Sequence, residues 1–310
     1  MPEIDVTEAS AEQSRDWLEA WRQRTEDWFR PLGVPAMATS RLDGWTTAPG
    51  TVFALRLDGV TVGTLAVAQR DDRVVITDIW VDPEHRGAGV GRAARTHAER
   101  MAAARGTEIL VNRATDHPAA VALFAGYPLR SQRMVKALQA PPDGDGLTGP
   151  GWRARPLRED EYDAWVAEQV AGYASDIAGS GLSTPAAAAE RSAAEFRELL
   201  PDGLASPGYT WWIIEDEATA TPVASIWVAH GREPGVSFVF SVEVQPEHRG
   251  RGYGRAAMLA GEAASLAAGD DRLALNVFGH NHVAIRLYER LGYAVIEQTR
   301  STTPPTSGRN

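Results

Sequence analysis

The 310-residue sequence contains no cysteine, which excludes disulfides, zinc–thiolate sites and a cysteine nucleophile. Lysine is nearly absent as well, because Lys136 is the single lysine and arginine supplies the other basic side chains. A nucleotide-binding loop of the GxxxxGK[ST] type is therefore excluded, since it needs a lysine directly after its last glycine. A lysine Schiff base is disfavoured for the same reason.

Long apolar runs are also missing from the sequence. No stretch approaches the roughly 18–20 apolar residues that a membrane-spanning helix needs. The acidic start MPEIDVTEAS does not resemble a signal peptide. Because the lack of cysteine fits a reducing compartment, we expect a cytoplasmic protein with no membrane partner.

The sequence has fewer basic than acidic residues, and its net charge is −10. Residues 1–140 carry 17 basic and 18 acidic groups, whereas residues 141–310 carry 14 basic and 23 acidic groups. Binding to a phosphate backbone needs a basic face, so we expect no nucleic-acid partner. The acidic second half is compatible with a cationic small substrate and equally with a plain solvated surface.

The sequence does contain one glycine-rich stretch twice. VDPEHRGAGVGRAA occupies residues 81–94 and VQPEHRGRGYGRAA occupies residues 244–257, an offset of 163 residues. Such an offset is the length of a domain rather than of a solenoid repeat. Between the copies, APPDGDGLTGPG has the composition of a linker. We therefore expect a first domain at 1–140, a linker at 141–151, a second domain at 152–300 and a tail at 301–310.

Both halves predict the same order of secondary structure. The second half predicts two helices, three consecutive strands, and then a helix–strand–helix–strand ending. The first half repeats this order from its strands onward, with a hairpin across Asp58 and Gly59 and a short helix over residues 117–127. The predicted fold class is α+β (α/β): two tandem domains, each a mixed, mostly antiparallel sheet flanked by helices.

In both copies the glycines lie between a strand and a helix. A helix N-terminus offers unpaired backbone N–H groups and a partial positive charge, and glycine lets that backbone approach an anion closely. The pattern therefore predicts a cradle for a pyrophosphate. We assign to it Arg249, Gly250, Arg251, Gly252, Tyr253, Gly254 and Arg255 in the second copy, and Gly87, Ala88, Gly89, Val90, Gly91 and Arg92 in the first.

The stretch VxPEHRGxGxGRAA resembles the acetyl-CoA-binding motif of the GCN5-related N-acetyltransferase (GNAT) family, and GHNHVAIRLYERLGY is similar to the family's second signature. The resemblance covers nearly the whole chain as two tandem domains. It implies acetyl-CoA as co-substrate, no metal, and a strand that splays at a bulge so that its backbone pairs with the pantetheine arm. The strand residues that it assigns to this role are Val242, Glu243 and Val244, with Ile79, Trp80 and Val81 in the first copy.

In the second signature, Asn281 and Tyr288 are seven residues apart, which is two turns of a helix. The resemblance implies that Asn281 contacts the CoA arm and that the Tyr288 hydroxyl faces the thioester sulfur. A phenol there can protonate the departing thiolate as a general acid. Without the resemblance, a helix cap for Asn281 and a half-buried aromatic for Tyr288 are the simpler interpretations.

The resemblance also implies a base for the attacking amine, at either of two positions. Phe238 and Asn276 stand there in this sequence, so neither supplies a carboxylate. Glu243 is our candidate base, and Tyr173, Asp176 or a water held by Asn276 are the alternatives. Because no cysteine exists to carry the acetyl group, we expect direct transfer within a ternary complex.

The first copy differs at the positions of the second signature. His117 aligns with Asn281 and Phe124 aligns with Tyr288, and phenylalanine has no proton to give. We therefore expect the first domain to contribute no turnover. Two roles remain open for it: it binds CoA, or it serves as a structural partner in place of a second subunit.

The predicted function is an acetyl-CoA-dependent N-acetyltransferase with its active site in the second domain. The acceptor is a primary amine of a small molecule or peptide, and the acidic second half is compatible with a cationic one. The alternative is a non-catalytic acyl-CoA-binding or regulatory protein, against which Tyr288 argues. A monomer with a pseudo-dimeric domain pair and a homodimer are both open, and the sequence does not identify the amine.

Overall fold

The computed structural model describes residues 3–70, 72–114, 117–140, 146–179 and 183–305. The chain divides into two compact units, one formed by Met1–Arg130 with Ile296–Asn310 and the other by Ser131–Val295. Within the described ranges, no helix is long and apolar enough to cross a membrane. Parts of the predicted linker and tail, residues 141–145 and 306–310, lie outside the described residues.

The first unit is a mixed sheet with helices packed on it. In chain order its elements are β1 (Ile4–Glu8), α1 (Ala11–Phe29), α2 (Ala36–Thr47), β2 (Thr51–Leu57), β3 (Val60–Gln69), β4 (Arg73–Val81), α3 (Val90–Arg105), β5 (Glu108–Ala114) and α4 (Pro118–Leu123). The strands β1 to β5 are neighbours in sequence order. They pair antiparallel except for β4 and β5, which are parallel.

Local sequence explains why these elements begin and turn where they do. Ser10 caps α1 through a capping box with Gln13. Asp58 and Gly59 both adopt positive φ angles, 48° and 81°, which suits the predicted two-residue hairpin between β2 and β3. On α3, alanines at every fourth position face the core with no exposed surface: Ala94, Ala98 and Ala102.

The second unit contains the remaining helices and most of the remaining strands. In chain order its elements are β6 (Leu129–Ala137), β7 (Thr148–Gly149), β8 (Trp152–Pro156), α5 (Glu159–Gly179), α6 (Pro185–Leu199), β9 (Tyr209–Asp216), β10 (Pro222–Glu233), β11 (Val236–Val244), α7 (Tyr253–Ala267), β12 (Arg272–Phe278) and α8 (His282–Arg290). The strand order is β6–β12–β11–β10–β9–β8–β7, and β11–β12 is its parallel pair. The predicted fold class, two mixed and mostly antiparallel α+β units, is confirmed.

The two halves of the chain exchange their last strands. β6 ends the first half of the sequence, yet it pairs antiparallel with β12, with Met134 opposite Leu275. The last strand of the chain, β13 (Ala294–Thr302), pairs antiparallel with β5 instead, with Arg300 opposite Val111. The predicted domain boundaries follow chain order, whereas the compact units do not, because hydrophobic periodicity identifies a strand without identifying its partner.

The second unit contains two apolar cores. One packs α7 against the sheet through small side chains, including Ala257 and Ala260, which have no exposed surface. The other packs α5 and α6 against β9 and β10 through large aromatic side chains. Its aromatic members are Trp165, Phe196, Trp211 and Trp227. The core of small side chains holds α7, which follows the glycine-rich turn, against the sheet. The aromatic core forms one wall of the cavity described below.

β11 bulges and then separates from its parallel neighbour. Trp227 of β10 pairs with Ser241 and the next residue pairs with Val239, so Phe240 is an extra residue in the strand. The parallel pairing of β11 with β12 extends only from Val236 to Val239. Beyond that point β11 continues without β12 toward the glycine-rich stretch, which is the splay that the family resemblance implied.

β4 of the first unit repeats this geometry. Ala66 pairs with Asp78 while the next residue pairs with Ile76, so Thr77 is the extra residue. The parallel pairing with β5 also stops at Ile76. Both copies of the glycine-rich stretch therefore follow a bulged strand that has left its neighbour.

Candidate active site

The glycine-rich turn of the second unit has the backbone of an anion cradle. Gly250 and Gly252 have φ angles of 77° and 91°, in the left-handed region that glycine alone adopts freely. Gly254 is needed for a different reason, because a β-carbon there would lie 3.2 Å from Leu287 Cδ2. Gly252 caps α7, so the free N–H groups of the first helical turn lie beside this turn.

The first unit carries the same turn. Gly89 caps α3 with φ 91° and ψ −4°, and these are the same angles that Gly252 has at α7. Gly87 has a φ of 88°, and a β-carbon on Gly91 would lie 3.6 Å from Leu123 Cδ2. The repeated sequence therefore builds one backbone conformation twice.

The non-glycine members of the cradle have different surroundings. Arg249 Nε donates a hydrogen bond to the Val244 carbonyl at 3.1 Å, which ties the turn to the end of β11. Tyr253 uses its hydroxyl to donate to Asp216 Oδ2 at 2.5 Å. Arg251 and Arg255 are exposed, as are Ala88 at the start of the first cradle and Arg86 before it. Val90 differs, because its side chain is buried and only its backbone can face a ligand.

A cavity of about 360 Å³ lies where β11 and β12 separate. One wall is a chain of neighbouring aromatic rings. Trp227 stacks on Phe240 with 4.4 Å between ring centroids, and Phe196 lies 5.4 Å from Trp227. The remaining rings of the wall are Tyr173, Phe238 and Phe278. The bulge places Phe240 in this wall, so the cavity begins where the strand pairing ends.

Three carboxylates line the same cavity: Asp176 from α5, Glu195 from α6 and Glu243 from β11. Burial raises the pKa of Glu243, and the negative charge of Asp176 adds to that rise while Arg249 opposes it. Burial also raises the pKa of Asp176, against the effect of His280, whose Nε2 lies 3.4 Å from Asp176 Oδ1. A β-carbon on Gly172 would lie 3.0 Å from Glu243 Oε1, so this glycine makes room for the carboxylate.

Tyr288 and Asn281 both line the cavity. Tyr288 is 8% exposed, and burial, together with the charge of Asp176, raises its pKa to about 12. Asn281 precedes α8 rather than lying on its face, and its Oδ1 accepts a hydrogen bond from the Ala284 amide at 3.1 Å. The side-chain oxygen of Asn281 therefore caps α8, and the residue also borders the cavity.

The structure brings together most of the residues considered for the reaction. Glu243, Tyr173, Asp176 and Asn276 all line the cavity, as does Phe238. Sequence reasoning missed a further set that completes it: Arg133, Gln169, Glu195, Phe196 and Trp227. Arg133 lies on the exchanged strand β6, with its guanidinium 5.5 Å from the Phe238 ring centroid. No periodicity or motif connects these residues, because the fold alone makes them neighbours.

The corresponding cleft of the first unit is about 590 Å³ and is lined by arginines. Trp80, which aligns with Glu243, lies between two of them: the guanidinium carbons of Arg24 and Arg86 are 4.3 Å and 4.9 Å from its ring centroid. Asp78 accepts hydrogen bonds from Trp17 and Arg24 at 3.0 Å and 2.7 Å. These contacts pair the Asp78 carboxylate and hold two guanidinium groups against the Trp80 ring.

The second signature of the first unit also differs in structure. α4 is shorter than predicted and ends at Leu123, before Phe124. Phe124 is 2% exposed and packs edge-on against Tyr127. His117 caps α4 and its Nε2 lies 3.1 Å from Arg86 Nη1. The first unit therefore has no phenol at the position of Tyr288, and its cleft combines four arginines with two carboxylates, Asp27 and Asp78.

Comparison with known proteins identifies what the chain is similar to. The model of the acetyltransferase (GNAT) family matches residues 11–127 and 180–293. A mycothiol acetyltransferase of Nocardiopsis dassonvillei is 30% identical over 318 residues, which cover 97% of this chain and 95% of that protein. A mycothiol acetyltransferase of Clavibacter michiganensis subsp. michiganensis is 29% identical over 281 residues, which cover 88% and 85%.

A solved structure extends the likeness to the whole fold. The GCN5-related N-acetyltransferase from Sphaerobacter thermophilus matches with a TM-score of 0.54 and 17% identity, covering 97% of this chain and 96% of that one. At this identity the likeness concerns the fold alone.

Proposed function

Because the chain belongs to the acetyltransferase (GNAT) family, we propose that its second unit transfers an acetyl group from acetyl-CoA to a primary amine by direct attack in a ternary complex. Acetyl transfer is the activity of the family. The assignment to the second unit, the residues and the acceptor class are our proposal.

The second unit fits acetyl-CoA in two places. The left-handed turn at Gly250 and Gly252 leaves open space above the N-terminus of α7, since a β-carbon on either glycine would meet nothing within 4 Å. Beyond Val239, the edge of β11 that faces away from β10 has left β12, so we expect backbone groups of Val242 and the N–H of Val244 to be available to a strand-like arm, while Arg249 holds the Val244 carbonyl. Bound acetyl-CoA supplies a thioester, whose acetyl end would reach the cavity at the bulge.

Tyr288 is the proposed general acid. Its phenol is buried beside the cavity, and its pKa of about 12 keeps it protonated at neutral pH. A phenol in this state can donate its proton to the departing sulfur. Asn281, at the N-terminus of the same helix, is the proposed contact to the CoA arm.

Glu243 is the proposed general base. Burial in the aromatic cavity raises its pKa, which makes its carboxylate a stronger base than an exposed glutamate. An amine that enters the cavity as an ammonium can lose its proton to Glu243 before it attacks. The lack of cysteine supports direct attack, because no thiol exists to carry the acetyl group in between.

The acceptor is proposed to be a small molecule or a peptide terminus. The cavity has room for such a group, at about 360 Å³, and two relatives carry the name mycothiol acetyltransferase, which supports a small-molecule acceptor. The observation that carries the proposal is the presence of a buried phenol and raised-pKa carboxylates in the cavity at the splay of the second unit. The first unit has Phe124 at the position of Tyr288, and Asp78 in its cleft is paired with Arg24.

The proposal is tested by release of free CoA from acetyl-CoA in the presence of a library of primary amines. With an active amine, initial rates at varied concentrations of both substrates should give intersecting patterns, whereas parallel patterns would contradict direct transfer. Tyr288→Phe should fold normally and lose about 10²–10⁴-fold in kcat. Tyr162→Phe removes a hydroxyl from α5 outside the cavity and serves as the matched control.

Turnover of Tyr288→Phe within a factor of about two of the parent would remove the phenol from the mechanism, because a lost general acid costs far more than that. Complete absence of CoA release with every amine, despite calorimetric binding of acetyl-CoA, would contradict the assignment of an amine acceptor.

A further inference from the structure

The cavity of the second unit contains more negative charge than one general base requires. Glu195 is balanced, because Arg191 Nε lies 2.7 Å from its Oε1. Asp176 is paired with the His280 ring, whose Nε2 lies 3.4 Å from its Oδ1. For Glu243, no hydrogen bond or ion pair to a basic side chain is found among the described residues. Among the described residues the cavity lining contains three carboxylates and the guanidinium of Arg133, so negative charge is in excess there.

The same cavity is bordered by polar atoms that lack partners. Gln169 is 3% exposed, and its Nε2 finds no hydrogen-bond acceptor among the described residues. The same holds for the Trp227 indole N–H and the Ser241 hydroxyl. Buried donors are nearly always satisfied in folded proteins, so unsatisfied donors around one cavity indicate an oxygen that a ligand brings.

We infer that the acceptor is a dicationic amine whose body carries a carbonyl or hydroxyl oxygen, with the reacting amine beside Glu243 and the second cationic group beside Asp176. This inference rests on the proposed function and specifies its substrate class. The oxygen accepts hydrogen bonds from donors such as Gln169 Nε2. A basic amino-acid amide has these three features in one small molecule.

Physical chemistry favours a dication over a single charge. A half-buried carboxylate such as Glu243, which has no basic partner among the described residues, gains a charge-assisted hydrogen bond from an ammonium beside it. At Asp176 the neighbouring group is the His280 ring at 3.4 Å, and an ammonium there adds a full positive charge. The aromatic faces of Tyr173 and Phe278, 6.4 Å apart by their centroids, also attract cations. An anionic acceptor would be repelled by Asp176 and Glu243 together. Arg133, the one arginine of the cavity lining, contacts the Phe238 ring at the exchanged strand.

The second cation would also act on the proposed acid. The charge of Asp176 contributes to the raised pKa of Tyr288. A cation beside Asp176 offsets that charge, which lowers the cost of forming a phenolate and makes Tyr288 a stronger acid. A monocationic acceptor lacks this effect, so we expect it to lose turnover as well as affinity.

The test uses three matched probes and the full-length protein with CoA bound. L-lysinamide carries two ammonium groups and an amide oxygen, L-norleucinamide lacks the second cation, and 1,5-diaminopentane lacks the oxygen. Calorimetry measures affinity, and CoA release from acetyl-CoA measures turnover separately. We expect lysinamide to bind at least about tenfold more tightly than either of the other two, since each forms one fewer charged or buried hydrogen bond.

Two variants assign the preferences to residues. Asp176→Asn should erase the advantage of lysinamide over norleucinamide, and Gln169→Met should erase its advantage over diaminopentane. Glu198→Gln, which changes an exposed glutamate on α6, should leave both ratios unchanged. Thermal melting of each variant shows whether the fold is kept, and a ratio between two probes is insensitive to a uniform loss of active protein.

Equal affinity of the parent protein for lysinamide and norleucinamide would overturn the inference of a second cationic group in the acceptor. Equal affinity for lysinamide and diaminopentane would overturn the inference of an oxygen acceptor in its body. An unchanged lysinamide preference in Asp176→Asn overturns the assignment of that carboxylate. Preferential binding of lysinamide without any CoA release would instead count against the proposed amine acetylation, so the two failures are distinguishable.

Discussion

Lys136 connects the exchanged strand to the body of the second unit, and its removal gives a sharp test of the fold. Its Nζ lies 2.7 Å from both carboxylate oxygens of Glu262 on α7. Glu262 is 9% exposed and also accepts a hydrogen bond from the Tyr293 hydroxyl at 3.1 Å. We expect Lys136→Met to keep the aliphatic stem of the side chain and leave this carboxylate without its cation.

The magnitude follows from burial. Removing one partner of a fully buried ion pair costs about 3–5 kcal/mol. Lys136 and Glu262 keep 22% and 12% of their side-chain surface exposed, so water relieves part of that cost. We therefore expect a loss of about 2–3 kcal/mol in the free energy of unfolding. For a unit of this size that corresponds to a fall in Tm of about 5–10 °C.

The assay is thermal unfolding followed by circular dichroism, with two companion variants. Lys136→Met combined with Glu262→Gln removes the buried charge while keeping an acceptor for Tyr293, and it should regain more than half of the lost stability. Lys136→Arg keeps the charge and should stay close to the parent. A Tm for Lys136→Met equal to that of the parent, or additive losses in the double variant, would refute the reasoning.

Three other outcomes are expected. Gly252→Asp puts a side chain and a negative charge at a φ of 91° and should abolish turnover, whereas Gly89→Asp in the first unit should spare most of the turnover. If activity is lost only when both glycines are changed, the first unit is an enzyme too. Burial raises the pKa of Glu243, so kcat/KM should rise with pH through a value above the ordinary carboxyl pKa. Glu243→Gln should remove this rise from the pH profile of kcat/KM. An unchanged pH profile in that variant would show that Glu243 is not the base. Gly172→Ala should lower kcat/KM without lowering Tm, because the new β-carbon would lie 3.0 Å from Glu243 Oε1 and displace the carboxylate. Unchanged kinetics would mean that the reaction does not depend on the position of this carboxylate.

Local structure could be predicted well from the sequence because it depends on local signals. The helix from Glu159 to Gly179 and the strand from Val236 to Val244 begin and end where their residue patterns change. The short helix after His117 was predicted too long, because Phe124 packs into the core and leaves the helix at Leu123. The exchange of β6 and β13 could not be predicted, because strand pairing is non-local and no local signal in either strand identifies its partner.

The candidate site divides in the same way. The repeated glycine turn was visible in the sequence, because its backbone conformation requires glycine at fixed positions. The cavity was not visible, because its wall joins Phe196 of α6, Trp227 of β10 and Arg133 of a strand from the other half of the chain. Glu195 and Gln169 also have no motif around them, and only the packing of α5 and α6 against the sheet brings them to the cavity.

The two copies show which parts of the site depend on the backbone and which on side chains. Gly89 and Gly252 share the same φ and ψ, so the sequence of the turn is fixed by a conformation that both units need. The side chains that face the splay are free of that constraint and differ in charge: Trp80 stands at the position of Glu243, and Arg113 at the position of Asn276.

These differences act together on what each cleft can do. In the first unit, Arg24 and Arg86 both lie against the Trp80 ring. That cleft also contains Asp27 and Asp78, but Asp78 is paired with Arg24, so we expect its guanidinium groups to disfavour an ammonium. The second unit presents raised-pKa carboxylates and a buried phenol around the same backbone geometry. One glycine-rich backbone turn therefore stands beside two clefts whose charged side chains differ, and under the proposed function we expect the charge of the cleft, rather than the glycine motif, to decide where an amine is acetylated.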